Sequence, residues 1–146
     1  MTNRTVAAAL PAAHTVLAVK PTDSALVAAV QMSEAKCGSA LVVKDAVVVG
    51  IITERDLLVK VIAKQLDAGK TLVASVMTKD PVCVRPDMPV AQALFKMNEF
   101  GFRHLPVVGA DGIPLGVFSI RDALPEDIAG AEELASRAEY IAANIR

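Results

Sequence analysis

The sequence predicts an α/β (α+β) protein: two copies of a strand–helix–strand–strand–helix unit packed about a pseudo-twofold axis, plus a C-terminal helix. Three observations carry this. The chain repeats itself at a nearly fixed spacing. Within each copy, short β-branched runs alternate with helix-period stripes. Of the 146 residues, 53% are hydrophobic and 21% charged, a composition that can bury a core.

The repeat emerges when Val19-Lys20-Pro21 is laid over Val84-Arg85-Pro86, an offset of 65. Met32 then meets Met97, Glu34 meets Glu99, and Leu41-Val42-Val43 meets Pro106-Val107-Val108. One extra residue in the turn around Asp111-Gly112 raises the offset to 66, and Gly50-Ile51-Ile52-Thr53-Glu54-Arg55-Asp56 overlays Gly116-Val117-Phe118-Ser119-Ile120-Arg121-Asp122. Turns are where an insertion disturbs least.

Each copy opens with an extended segment, residues 15–19 and 82–85, ended by Pro21 and Pro86. A helix follows. Asp23 or Ser24 can cap the first, and Pro89 suits the first turn of the second. Val90, Ala93, Leu94 and Met97 form its i, i+3, i+4, i+7 stripe. Two hairpin strands come next, over 40–44 and 47–52 around Asp45-Ala46, and over 105–108 and 115–118 around an Asp-Gly turn. Thr53 and Ser119 then cap another helix. The first is expected to run to about Ala68 and stop at Gly69. The second meets Pro125 within a turn and must kink or restart. Residues 126–145 read as a final helix whose Leu134, Ala138 and Ile141 share a face, able to cover the chain's own core or a second subunit. The expected division is an extension over 1–13, a first repeat over 14–70, a linker over 71–75, a second repeat over 76–124 and a helical extension over 125–146.

Composition excludes several function classes. A formal net charge of −1 with 3% aromatics and no Trp gives neither the basic excess nor the stacking side chains of a nucleic-acid binder. The comparable apolar run, residues 46–52, falls far short of the ~18 residues of a membrane span. The N-terminal residues 4–10 faintly resemble a signal peptide, but the following segment is needed as the first strand. Cys37 and Cys83 form no metal or disulfide spacing, which fits a reducing, cytoplasmic setting. His14 and His104 have no cysteine or carboxylate at ligand spacing, so no metal is expected. No nucleophile–base constellation or phosphate-binding loop is present, so no enzyme is expected.

The motif that carries chemistry is Thr53-Glu54-Arg55-Asp56 with its partner Ser119-Ile120-Arg121-Asp122. A strand delivers a hydroxyl to a helix N-terminus, where free amides and the helix dipole favour an anion. A carboxylate three residues on can accept from ribose hydroxyls, and Arg55 or Arg121 can meet phosphate. The same spacing is also a capping box with no ligand at all. Its recurrence on a repeated scaffold favours binding.

With these motifs, with Val76-Met77-Thr78-Lys79-Asp80-Pro81-Val82 leading into the second copy, and with Arg103-His104-Leu105-Pro106-Val107-Val108, the chain resembles a pair of CBS domains, a Bateman module, over residues 14–124. The resemblance implies two clefts that bind AMP, ADP, ATP or S-adenosylmethionine as a regulatory ligand. It implies dimers formed through the helices, and a signal passed to an attached or associated partner. It also implies a crossed arrangement. Thr53, Arg55 and Asp56 would share one cleft with Thr78, Pro81, Val82, Arg103 and His104. Ser119, Arg121 and Asp122 would share the other with Thr15, Val16, Gly38, Ser39 and Ala40. Because Arg103 and His104 would attend the first of these, that cleft is expected to bind phosphate more tightly.

The expected function is therefore a homodimeric adenine-nucleotide sensor without a required cofactor, contacting neither nucleic acid nor membrane. Few residues flank the repeats, so its output is expected through another protein chain or self-association. The alternative is a homodimerisation scaffold whose clefts stay empty. Binding of AMP, ATP or S-adenosylmethionine discriminates the two.

Overall fold

The structure, a computed structural model, describes residues 4–10 and 16–144. In the first lobe, β1 (Ala18–Val19) runs parallel to β2 (Ser39–Lys44), which pairs antiparallel with β3 (Val47–Thr53). Gly50↔Lys79 and Ile51↔Thr78 add β4 (Thr78–Lys79) at the far edge, a strand the sequence does not announce. The second lobe repeats the hairpin as β5 (His104–Val108) and β6 (Pro114–Ser119). Its opening segment is reduced to a parallel bridge of Val84 with Val107, the counterpart of Val19 with Val42. Register shifts fall at equivalent places, Val42/Val43 and Val107/Val108, so the repeat reaches the level of single backbone irregularities.

The helices form for local reasons. In α2 (Ala25–Ala35) the Ser24 hydroxyl accepts from the Val27 amide at 3.1 Å, and Ala25, Ala28 and Met32 are buried. α5 (Val90–Phe100) buries the predicted Val90, Ala93, Leu94 and Met97. Pro89 stands at its N-cap, one position before the first turn, and Gly101 closes it at φ 73°.

α3 (Glu54–Leu57) departs from expectation. It passes into a π-type turn over Leu58–Ile62, the Leu66 amide donates to the Val61 carbonyl, and Gln65 adopts φ 57°. The helix thus ends well before Ala68. Gly69 sits in a turn, its amide on the Asp67 carboxylate at 2.9 Å. On the second copy, Ile120–Asp122 make one 3₁₀ turn, and α6 (Pro125–Asn144) restarts at the predicted proline. α6 packs on α5 where Gly130 meets Ala91. A Cβ at Gly130 would lie 3.0 Å from that of Ala91. Leu134 is half-buried, whereas Ala138 and Ile141 are exposed.

Two short helices fall in the stretches expected as extension and linker. α4 (Val73–Val76), partly inside the expected linker, buries Val73 and Val76 in the first core. α1 (Val6–Ala9), inside the expected extension, buries Val6 in the second core. The two are equivalent. Ala25 donates to Thr71, Val73 to Asp23 and Ala74 to Pro21, and in the same pattern Val90 donates to Arg4, Val6 to Met88 and Ala7 to Pro86. Each copy therefore begins with a short helix that it lends to the other lobe. The two cores form separately around these exchanged helices. Among the described residues no helix is long and apolar enough to cross a membrane.

Candidate functional site

Thr53 and Ser119 end β3 and β6 at equivalent points, paired across their hairpins with Ser39 and His104. Both head capping boxes, so the ligand-free alternative read from the motif is physically present. The two boxes are not equally occupied. In the first, Asp56 Oδ2 accepts from the Thr53 amide at 2.9 Å and the Thr53 hydroxyl at 3.0 Å. That hydroxyl accepts in turn from the Asp56 amide. Asp56 Oδ1 pairs with Lys60 Nζ at 2.9 Å, and Lys60 also donates to the Val76 carbonyl at 3.0 Å. In the second, Asp122 Oδ2 accepts from the Ser119 amide at 3.0 Å and the Ser119 hydroxyl accepts from Arg121.

The lobes face each other across one continuous cleft of about 850 Å³. It is lined by Thr53, Arg55, Asp56, Thr78, Pro81, Val82, Arg103, His104, Val16, Gly38, Ser39, Ser119, Arg121 and Asp122. Described members of both predicted sets line this space. Ala40 belongs instead to the first core. Thr15, with His14, lies outside the described residues.

The cleft also holds residues the sequence reading passed over: Lys36, Cys37, Glu54 and Phe102 among them. Adjacency was the available signal, since Glu54 lies inside the Thr53–Asp56 motif and Phe102 just precedes Arg103. Phe102 stacks on Phe100 with ring centroids 6.0 Å apart. Gly38 lets the lobes approach. A Cβ there would stand 2.9 Å from Glu54 Oε1 and 3.4 Å from His104 Nε2.

The electrostatics are mixed. Arg55, Arg103 and Arg121 line the cleft and enter no ion pair among the described residues. Desolvation pushes His104 below its ordinary value; Glu54 and Asp122 oppose this, and Arg121 and Arg103 reinforce it. His104 is therefore mainly neutral at neutral pH. Burial raises the Cys83 thiol, which suits an unreactive side chain. Among the described residues no cluster of His, Cys, Asp or Glu could hold a metal ion. What the site offers is the helix N-terminus at Thr53, a 3₁₀ turn capped by Ser119, guanidiniums outside any ion pair among the described residues, and acceptors, groups that suit a phosphorylated, hydroxyl-bearing small molecule.

Comparison with known proteins agrees with the architecture. The model of the CBS domain matches residues 9–63 and 73–127. A CBS domain-containing protein of Arabidopsis thaliana is 39% identical over 127 residues, covering 86% of this chain and 23% of that protein. The chain thus spans about a quarter of that relative's length. A CBS-domain protein from Burkholderia ambifaria superposes with a TM-score of 0.78 at 33% identity, covering 86% of this chain and 95% of the other. A CBS domain protein from Pyrobaculum aerophilum, solved in complex with AMP, superposes with a TM-score of 0.78 at 26% identity, covering 91% and 99%.

Proposed function

Because the chain belongs to the CBS-domain family, two copies of which it carries, we propose that it is a regulatory module that binds an adenine nucleotide or S-adenosylmethionine in the cleft between its lobes. It acts in the cytoplasm as a sensor without chemistry of its own, and reports occupancy through a partner chain or self-association. The observation that carries this reading is the cleft of about 850 Å³ between the lobes. Three arginines without ion-pair partners among the described residues line it beside the helix N-terminus at Thr53 and the 3₁₀ turn at Ser119. Such a volume suits one small-molecule ligand, and the cations favour phosphate over a neutral metabolite. The Pyrobaculum relative bound to AMP supports an adenosyl ligand.

Thermal unfolding with AMP, ATP and S-adenosylmethionine tests the proposal. A ligand at about 100 times its Kd stabilises the fold by about 2.7 kcal/mol. A melting temperature unmoved by all three would favour the empty-cleft scaffold. That second reading draws on the exposed Leu26, Val30, Leu58 and Ile62 of the first-lobe helices, which suit self-association whether or not a ligand binds.

A further inference from the structure

We infer that Arg4 is a positioning residue for the cleft: standing just before α1, it holds from behind the Ile120–Asp122 turn that lines the ligand space. This rests on the proposed nucleotide binding, and it gives a part in that binding to a residue outside the cleft wall.

The turn needs support from elsewhere. Ile120–Asp122 make one 3₁₀ turn, whose last bond, from the Ala123 amide to the Ile120 carbonyl, spans 3.3 Å. So short a helix is not held by its own backbone bonds. The first copy avoids the difficulty, because Glu54–Leu57 run straight on into the π-type turn over Leu58–Ile62. In the second copy the chain leaves the helical region at Ala123, with ψ 142°, and α6 begins only at Pro125.

Arg4 spans that break. Its Nη2 donates to the Asp122 carbonyl at 2.8 Å and to Asp127 Oδ2 at 2.6 Å, and its Nε donates to the same carboxylate oxygen at 3.2 Å. Asp127 also accepts from the Leu124 amide at 2.8 Å. The last carbonyl of the turn and the first amides of α6 therefore end on one buried pair. Arg4 is fixed in turn through its own carbonyl, which accepts from the Val90 amide of α5 at 2.8 Å. A planar guanidinium can serve two acceptors at once in this way, where an ammonium holds no such fork. On its other side the turn presents Arg121 and Asp122 to the cleft, whereas Arg4 is not among the lining residues. Its effect on a ligand must pass through the turn.

The tie is peculiar to this lobe. The bond from Val90 to Arg4 has its counterpart in the bond from Ala25 to Thr71, so Thr71 stands where Arg4 would be. The Thr71 hydroxyl donates to the Asp67 carbonyl of its own loop, and not to the Thr53–Asp56 motif.

Isothermal titration of full-length chains with AMP, or with ATP or S-adenosylmethionine should AMP not bind, tests this at a temperature where each chain is fully folded. Arg4→Met is expected to weaken binding roughly tenfold. Arg4→Lys, which keeps a charge beside Asp127 but not the fork, is expected to fall between Arg4→Met and the wild type. Should Arg4→Met fail to show a cooperative urea transition, Arg4→Lys stands in for it, with weakening again expected. Val6→Ala controls for mere loss of stability. Val6 is fully buried in the second core, so its truncation is expected to lower the melting temperature and to leave the affinity at the wild-type level. Wild-type affinity in the Arg4 variant, or an equal weakening by Val6→Ala, would overturn the inference while leaving nucleotide binding in place. A wild-type chain that binds none of the three ligands would overturn both.

Discussion

His104 shows how one residue joins two lobes. Its backbone belongs to β5, and Gly38 of the first lobe leaves room for its ring. Desolvation lowers its pKa from the ordinary 6.5, so the unfolded chain takes up the proton first on acidification. The stability this contributes is fully present above about pH 6.5 and is lost as pH falls through the folded-state value. Unfolding midpoints in urea are therefore expected to drop between about pH 7.5 and about pH 5.5, and to drop less in His104→Gln. An identical pH profile for the two chains would contradict this account. The resemblance set His104 in a cleft with Thr53, Arg55 and Asp56, and Ser119 in the other. The pairing of His104 with Ser119 follows from the β5–β6 register, and the Glu54 charge also acts on it.

The exchanged helices matter at the level of elements. Arg4, at the start of α1, donates to Asp127 Oδ2 at 2.6 Å and to the Asp122 carbonyl at 2.8 Å. Asp127 is 3% exposed and also accepts from the Leu124 amide, so the N-terminal helix is pinned to the base of α6. Burial alone would raise the Asp127 carboxyl; the Arg4 hydrogen bond, the Leu124 amide and the Arg4 charge together hold it below its ordinary value. Arg4→Met would leave that carboxylate without its cation. The expected cost is about 3 kcal/mol in urea unfolding, the low end for a broken buried pair because Arg4 is partly exposed. A loss under about 1 kcal/mol would show that the pair is screened as a surface bridge is. The sequence placed α2 by its cap and α5 by its periodic stripe, but α1 and α4 are too short for a period to show. Their places are set by apolar residues, Val6 and Val73 among them, that fill cores built mostly by other segments.

For the whole molecule, α6 makes the halves unequal. It covers α5 of the second lobe, while Leu26 and Val30 of α2 and the neighbouring Leu58 and Ile62 stay exposed, Ile62 by 67%. A second copy can bury that face in a closed twofold assembly. Light scattering at micromolar concentration is expected to give a dimer mass, and Ile62→Glu to halve it. A monomeric wild-type chain would refute the prediction.

What the sequence determined by itself is what short-range pattern can encode. The doubled strand–helix–strand–strand–helix order, the α5 stripe, the Ser24, Thr53 and Ser119 caps and the break at Pro125 all follow from spacings within about one or two helical turns. Tertiary structure alone decided which lobe each leading helix joins and that the two motifs open into one cleft. It also decided that Lys60 engages the Asp56 carboxylate, and that α6 covers α5 of the second lobe. Each of these turns on which surfaces meet after the chain has folded back on itself. A contact of that kind is chosen by the fit of volume and charge across the whole molecule, and it leaves no periodic mark on the residues that make it.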